Sequence, residues 1–196
     1  KLIFVSNNFK FGNKRKGNVN LLKKFGKKYD YKLLKINPFR NQGKMISSTG
    51  IRKCLQTGNL NLANKLLSRT WFIDGYVKKG KKLGRKLGYR TCNIYIKNYI
   101  LPKMGIYAIK VVIGNKRKMY NGIGYLGSRP TFGGKEIFLE VNIFGIQKKL
   151  YKKRLRVYFI KFIRMDKKFK NSAKLINQMN KDVIFAKKGL KTKLVL

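Results

Sequence analysis

The chain has 196 residues, enough to bury a core as one ordinary domain or two small ones. Lys and Arg total 49 against 6 Asp and Glu, a formal net charge of +43, and histidine is absent. That absence excludes a Ser-His-Asp triad, a His-ligated zinc and an imidazole base. Carboxylate chemistry is left to Asp30, Asp74, Glu136, Glu140, Asp166 and Asp182.

Hydrophobic residues at 43% and aromatics at 13% are values of a folded chain, so the charge does not mark a disordered tail. A charge of +43 attracts polyanions, as in a nucleic-acid-binding protein. Codon drift accounts for it as well, since Lys, Asn, Ile, Tyr and Phe, the residues of A/T-rich codons, are abundant. The lysines are spread over the whole length, and runs such as Lys14-Arg15-Lys16 and Lys78-Lys79-Gly80-Lys81-Lys82 are short, which favours drift. Non-specific polyanion binding at low salt follows either way. Cys54 and Cys92 lack metal-site spacing and read as free thiols of a reducing compartment. No apolar run approaches the ~18 residues needed to span a membrane, and Lys1-Leu2-Ile3-Phe4-Val5 is too short for a signal-peptide core. A cytoplasmic location without membrane partners is therefore expected. A chain that opens on lysine already inside a strand suggests that sequence upstream is missing or was lost.

In chain order, Leu2–Val5 reads as an apolar strand and Asn18–Tyr29 as a helix capped by Asn18, with Val19, Leu21, Leu22 and Phe25 on one face. Tyr31–Ile36 is a second strand, stopped by Asn37-Pro38. Ser48 or Thr49 caps a helix through Leu55, and Asn59–Leu67 forms another. From about Arg69 the pattern becomes strands punctuated by glycine: Phe72–Val77, Ile106–Ile113, Tyr120–Leu126, Ile137–Phe144 and Leu155–Ile163. These predict an antiparallel barrel or sandwich, with Gly133-Gly134 as a hairpin turn. A closing helix starts at a Ser172 cap, carries Leu175, Ile176, Met179, Val183 and Ala186 as its stripe, and ends at Gly189. The expected division is 1–68, 69–188 and a short tail, 189–196.

Glu140 is the most informative acid. Ile137, Leu139, Val141 and Ile143 alternate onto the core face, which sets Glu140 and Asn142 between Phe138 and Phe144 on the other. An acid flanked by rings can take a proton from a hydroxyl while the rings hold a flat ligand; the same pattern is also that of a surface carboxylate paired with a lysine. In Gly80-Lys-Lys-Leu-Gly84-Arg85-Lys86-Leu87-Gly88-Tyr89-Arg90-Thr91-Cys92-Asn93, the glycines allow a tight loop whose N–H groups face phosphates, and Arg85 adds charge. Thr91 and Asn93 would present two hard oxygens on one side, suited to Mg²⁺. A plain basic hairpin has the same composition. Gly127-Ser128-Arg129-Pro130-Thr131 reads as a strand running into a rigid turn with one arginine. Ser47, Ser48, Thr49 and Arg52 stand at a helix start, either an anion site or an ordinary cap.

Taken together and in order, these segments resemble those of riboflavin kinases. The stretch from Gly80 to Ile94 resembles the "GRxLGFPTANI" signature. Gly105-Ile-Tyr-Ala, Gly127-Ser-Arg-Pro-Thr-Phe and Leu139-Glu-Val-Asn-Ile-Phe resemble "GVYA", "GTRPTF" and "LEVHLF". Phe159-Ile-Lys-Phe-Ile-Arg164 with Lys167-Lys168-Phe169 resembles "FLKFLRxEKKF". Phe9-Lys-Phe-Gly12, Lys14-Arg15-Lys16-Gly17 and Ile46-Ser-Ser-Thr-Gly-Ile-Arg52 resemble the second half of the FMN adenylyltransferase module that precedes the kinase in bifunctional bacterial riboflavin kinase/FAD synthetases.

The resemblance implies an α+β chain: a six-stranded antiparallel β-barrel with a C-terminal helix, preceded by a partial Rossmann-like nucleotidyltransferase segment. It implies transfer of a phosphoryl group from Mg²⁺–ATP to the 5′-hydroxyl of riboflavin, giving FMN. Glu140 would be the base, Thr91 and Asn93 would hold the Mg²⁺–ATP complex, and Gly80, Gly84 and Arg85 would cover the phosphates. Arg129, Asn142 and Arg164 would lie toward the flavin, and Ser47, Ser48, Thr49 and Arg52 would belong to the adenylyltransferase nucleotide site. The departures are Arg90 for the family's proline, Cys92 for its alanine, Asn142 for its histidine, and Ile123-Gly124-Tyr125 for Val-Ala-Asn. Without the histidines of an HxGH-type motif, the chain is not expected to make FAD. Two alternatives stand beside this reading: a non-enzymatic basic barrel that binds RNA, and a decaying copy whose kinase site no longer works.

Overall fold

The computed structural model describes residues 1–41, 44–80, 88–116, 118–131 and 134–191, with the backbone alone for 41, 44, 129–131, 134 and 135. Two compact units result, Lys1–Ser47 and Ser48–Leu196. The first contains β1 (Leu2–Ser6), a short ribbon of β2 (Lys10–Phe11) and β3 (Gly17–Asn18), α1 (Val19–Lys28), β4 (Lys32–Ile36), and a hairpin of β5 (Arg40–Asn41) and β6 (Lys44–Met45). The Asn18 side chain accepts a hydrogen bond from Leu21 N at 3.0 Å, the expected cap. β1 and β4 pair in parallel from Leu2 opposite Lys32 to Ser6 opposite Ile36. Strand alternation buries Val5 but leaves Leu2, Phe4, Leu34 and Ile36 about half exposed.

Composition changes at Arg69, yet packing divides the chain after Ser47. The reason lies in α2 (Ser48–Thr57) and α3 (Leu60–Leu67), whose Leu55, Leu60 and Ala63 join the same buried cluster as Trp71 and Phe159. Asn59 caps α3 by accepting from Leu62 N, and Asn64 Oδ1 accepts from Trp71 N at 2.8 Å.

Six strands follow: β7 (Phe72–Lys78), β8 (Cys92–Tyr95), β9 (Gly105–Ile113), β10 (Met119–Thr131), β11 (Gly134–Ile143) and β12 (Arg154–Arg164). They close into an antiparallel barrel in the order β10-β11-β8-β7-β12-β9, with β9 pairing back onto β10. β8, which is not among the strands expected from the sequence, is the strand that joins β11 to β7. Gly134 already belongs to β11, and Gly133 of the expected turn lies outside the described residues. Inside the barrel, Phe159 meets Tyr107 and Trp71 edge-on at centroid distances of 4.9 and 5.0 Å. The closing helix, α4 (Ser172–Gly189), is capped by Asn171 rather than Ser172: the Asn171 side chain accepts from Lys174 N at 2.9 Å. Its last turn includes Gly189, and Leu190 beyond it is buried, so the expected tail begins inside packed structure. Among the described residues no helix is long and apolar enough to cross a membrane.

On the outer face of β7 and β12, Asp74 accepts from Arg156 Nε and Nη2 at 2.8 and 2.9 Å and from Arg154 Nη2 at 2.6 Å. The Arg156 hydrogen bond, with Arg154 behind it and burial opposing both, holds the Asp74 carboxyl below its ordinary 3.8. Such a group adds stability above its unfolded pKa and loses it as pH falls through the lower folded value. Asp74→Asn should therefore cost about 1 kcal/mol at neutral pH, since both arginines are part exposed. Urea midpoints of wild type and variant should converge below pH 3.8; a gap that persists in acid would refute the ion pair as its source.

Candidate active site

Register aligns the functional side chains. Glu140 stands at the middle of β11, directly opposite Tyr125 of β10 on one side and Asn93 of β8 on the other. Directly opposed residues share a face, and Leu139 and Val141 are fully buried inside the barrel. Glu140, Tyr125 and Asn93 therefore project outward, as alternation predicts. Thr91, two residues before Asn93, faces the same way just beyond the end of the β8–β11 ladder, next to Asn142.

This outer face forms the floor of a cavity of about 360 Å³. Ile106, Ile123 and Tyr125 line it from the barrel, Leu175, Met179 and Val183 from α4, and Phe169 from the segment between β12 and α4. Glu140, Asp166 and Asp182 also line it, so half of the chain's 6 carboxylates meet at one apolar cavity. Tyr125 OH donates to Asp166 Oδ2 at 2.8 Å, and Asp166 Oδ1 accepts from Lys167 N. A smaller cleft of about 100 Å³ opens on the other side of Thr91, lined by Arg90, Lys148, Lys149 and Tyr151 among others. Thr91 lines both.

Asn93 is only 5% exposed, and Gly80 is what makes room for it: a Cβ on Gly80 would lie 2.2 Å from Asn93 Nδ2. Gly84 and Arg85 lie outside the described residues. Asn142 lines the large cavity and donates through Nδ2 to the Arg90 carbonyl at 2.8 Å. Arg164 lines it too, but its guanidinium is committed to Asp182, with Nε and Nη2 donating at 2.7 to 3.0 Å. Two register shifts in β12 bring it there; at the register of Phe159 opposite Ile109, Phe162 would face Ile106 instead of Arg164. Gln178 Nε2 completes the surroundings of Asp182, which is 4% exposed. Arg129 stands on β10 opposite Glu136, and its backbone is what the structure describes. Ser48 and Thr49 open α2, with Ser47 before them in the chain and Arg52 one turn on.

The two flanking rings are placed differently from the expectation. Phe138 is buried edge-on against Tyr125 at 5.7 Å, and Phe144 packs with Ala108, Ala186 and Leu190 under α4. Neither lines the cavity, whose apolar walls come from β9, β10, α4 and Phe169. Asp182 and Tyr89 are the residues sequence reading passed over. Tyr89 OH bonds Asn180 of α4, and burial, then the charge of Asp182, push its phenol up. The available signal was an acid beside the apolar stripe of α4, between Met179 and Val183.

The donor set fits a hard cation. A threonine hydroxyl and an asparagine amide oxygen are oxygen ligands, and among the described residues no cluster of three or more His, Cys, Asp or Glu could hold a metal alone. Such a cation would keep most of its coordination for phosphates and water.

Comparison with known proteins matches this architecture. The riboflavin kinase family model matches residues 67–190, and the FAD synthetase model matches residues 1–50. The chain belongs to the riboflavin kinase family. It is 39% identical over 191 residues to the bifunctional riboflavin kinase/FMN adenylyltransferase of Buchnera aphidicola subsp. Schizaphis graminum, covering 96% of this chain and 61% of that protein. The Escherichia coli (strain K12) protein of the same description is 34% identical over 187 residues, covering 95% and 59%. A crystal structure described as a macrolide-efflux protein from Streptococcus pneumoniae superposes with a TM-score of 0.78 at 30% identity, covering 93% of this chain and 58% of that one. The chain thus spans about three-fifths of the length of the curated relatives it matches.

Proposed function

We propose that the chain phosphorylates the 5′-hydroxyl of riboflavin with Mg-ATP, giving FMN and ADP. One observation carries this reading: Glu140 lies on the floor of an apolar cavity sized for a small flat ligand, beside a buried Asn93 and a Thr91 that also lines a second, cationic cleft. Pockets of this volume and lining suit a tricyclic ring with a polar chain. Lys148 and Lys149 on the far side of Thr91 suit the phosphates of the nucleotide.

The riboflavin hydroxyl attacks the γ-phosphorus, its proton passes to Glu140, and ADP departs with the bridging oxygen. Positioning and charge stabilisation supply most of the rate in such transfers. Mg²⁺, held by Thr91 and Asn93, would offset charge on the phosphates. Arg164 and Asp182 brace α4 against β12 and so keep the cavity wall in place. These 196 residues hold no histidine with which to stabilise adenylyl transfer, so FMN is the expected end product.

The test is riboflavin incubated with Mg-ATP and the purified chain, with flavins separated by chromatography. FMN without FAD is expected. FAD would overturn the argument from histidine, and neither product would overturn the kinase reading.

A further inference from the structure

Two of the chain's departures from the family motif touch each other. Arg90 stands where the family has proline and Asn142 where it has histidine, and Asn142 Nδ2 donates to the Arg90 carbonyl at 2.8 Å. This bond lies one step past the last β8–β11 pair, Cys92 opposite Val141, so a side chain extends the ladder where the backbone pairing stops. On its other side Arg90 Nη1 donates to the Gln147 carbonyl, in the loop between β11 and β12, at 2.7 Å. The guanidinium is thus used as a main-chain tether. Thr91 sits between this doubly bonded residue and the first residue of β8, at the wall shared by the two clefts.

We propose that Arg90 and Asn142 are positioning residues that hold Thr91 in register for the Mg-nucleotide. Two hydrogen bonds do here what a proline ring does by fixing φ. The proposal rests on the kinase reading of the site. One of the two N–H groups of the Asn142 amide is thereby directed at the Arg90 carbonyl rather than into the cavity that Asn142 lines.

Arg90→Ala and Asn142→Ala should each raise the KM for Mg-ATP about tenfold, the loss of one such bond, and Arg90→Ala should leave the KM for riboflavin within about twofold of wild type. The double variant should fall well short of the product of the two, since both act on one segment. Arg90→Pro should bring the KM for Mg-ATP back to within about threefold of wild type. That last variant is the discriminating one, because it lacks the positive charge just as alanine does. If Arg90→Pro is as impaired as Arg90→Ala, Arg90 acts by its charge and the proposal fails. A rise in the riboflavin KM of Asn142→Ala instead of the Mg-ATP KM would also overturn it.

Calorimetric titration of the same variants with Mg-ADP reads the nucleotide site without turnover, and melting temperatures check that each is folded. Wild-type protein that makes no FMN but binds Mg-ADP, with the same pattern across the variants, would sink the kinase reading and leave the positioning intact. Turnover by wild type with unchanged Mg-ADP affinity in Arg90→Ala would sink the positioning alone.

Discussion

Replacing Glu140 with glutamine should lower the rate of FMN formation by about a thousandfold, the usual worth of a positioned general base, while flavin binding stays within about twofold of wild type. Glutamine keeps the length of the side chain and its place between Tyr125 and Asn93 in the sheet. On the proposed mechanism, what it removes is the ability to accept the proton of the attacking hydroxyl. Binding is read by quenching of flavin fluorescence, and rate by FMN produced per minute. A variant that retains more than a tenth of the wild-type rate would mean that Glu140 is one more wall residue.

The second large effect is on stability. Asp182→Ala leaves the Arg164 guanidinium, 21% exposed, facing a site where Nε and Nη2 had their acceptors. Breaking a buried pair on one side costs about 3–5 kcal/mol, more than the pair contributes by existing. For a unit of this size the melting temperature should fall by on the order of 10 °C. The damage reaches function because Asp182 and Val183 both line the cavity. Loss of flavin affinity should therefore accompany the loss of stability. Asp182→Ala combined with Arg164→Met, which removes the orphaned charge, should recover much of the melting temperature. A double variant as unstable as the single would place the cost in packing and not in the unpaired charge.

The face carrying Glu140 was legible from period-two alternation alone, because one side of β11 is buried and a slip by one residue would have put an acid in the core. The cap at Asn18 was legible for a similarly local reason. What lay beyond local pattern was the source of the cavity walls. Leu175, Met179 and Val183 come from a helix more than thirty residues downstream of Glu140, and no spacing rule connects them to β11. Phe138 and Phe144 were wrongly cast as ligand-holding rings because alternation reports the face of a side chain and not what already covers it. The division at Arg69 followed a real change of pattern, but α2 and α3 pack by their apolar faces, and those faces belong to the barrel core. Arg164 was read as a ligand-facing cation, and only the register shifts in β12 and the acid on α4 show it braced on Asp182.

The two units differ in the strand edges they present. A closed barrel has no strand edge to offer, whereas β1 and β4 pair only with each other among the described residues. Beside those edges lie the outward-facing Leu2, Phe4, Leu34 and Ile36. The template for strand-to-strand aggregation therefore sits in the first 47 residues. What opposes it is mutual repulsion at +43, and repulsion is what added salt screens. Self-association of these 196 residues should therefore increase with ionic strength, which light scattering over a salt series would check.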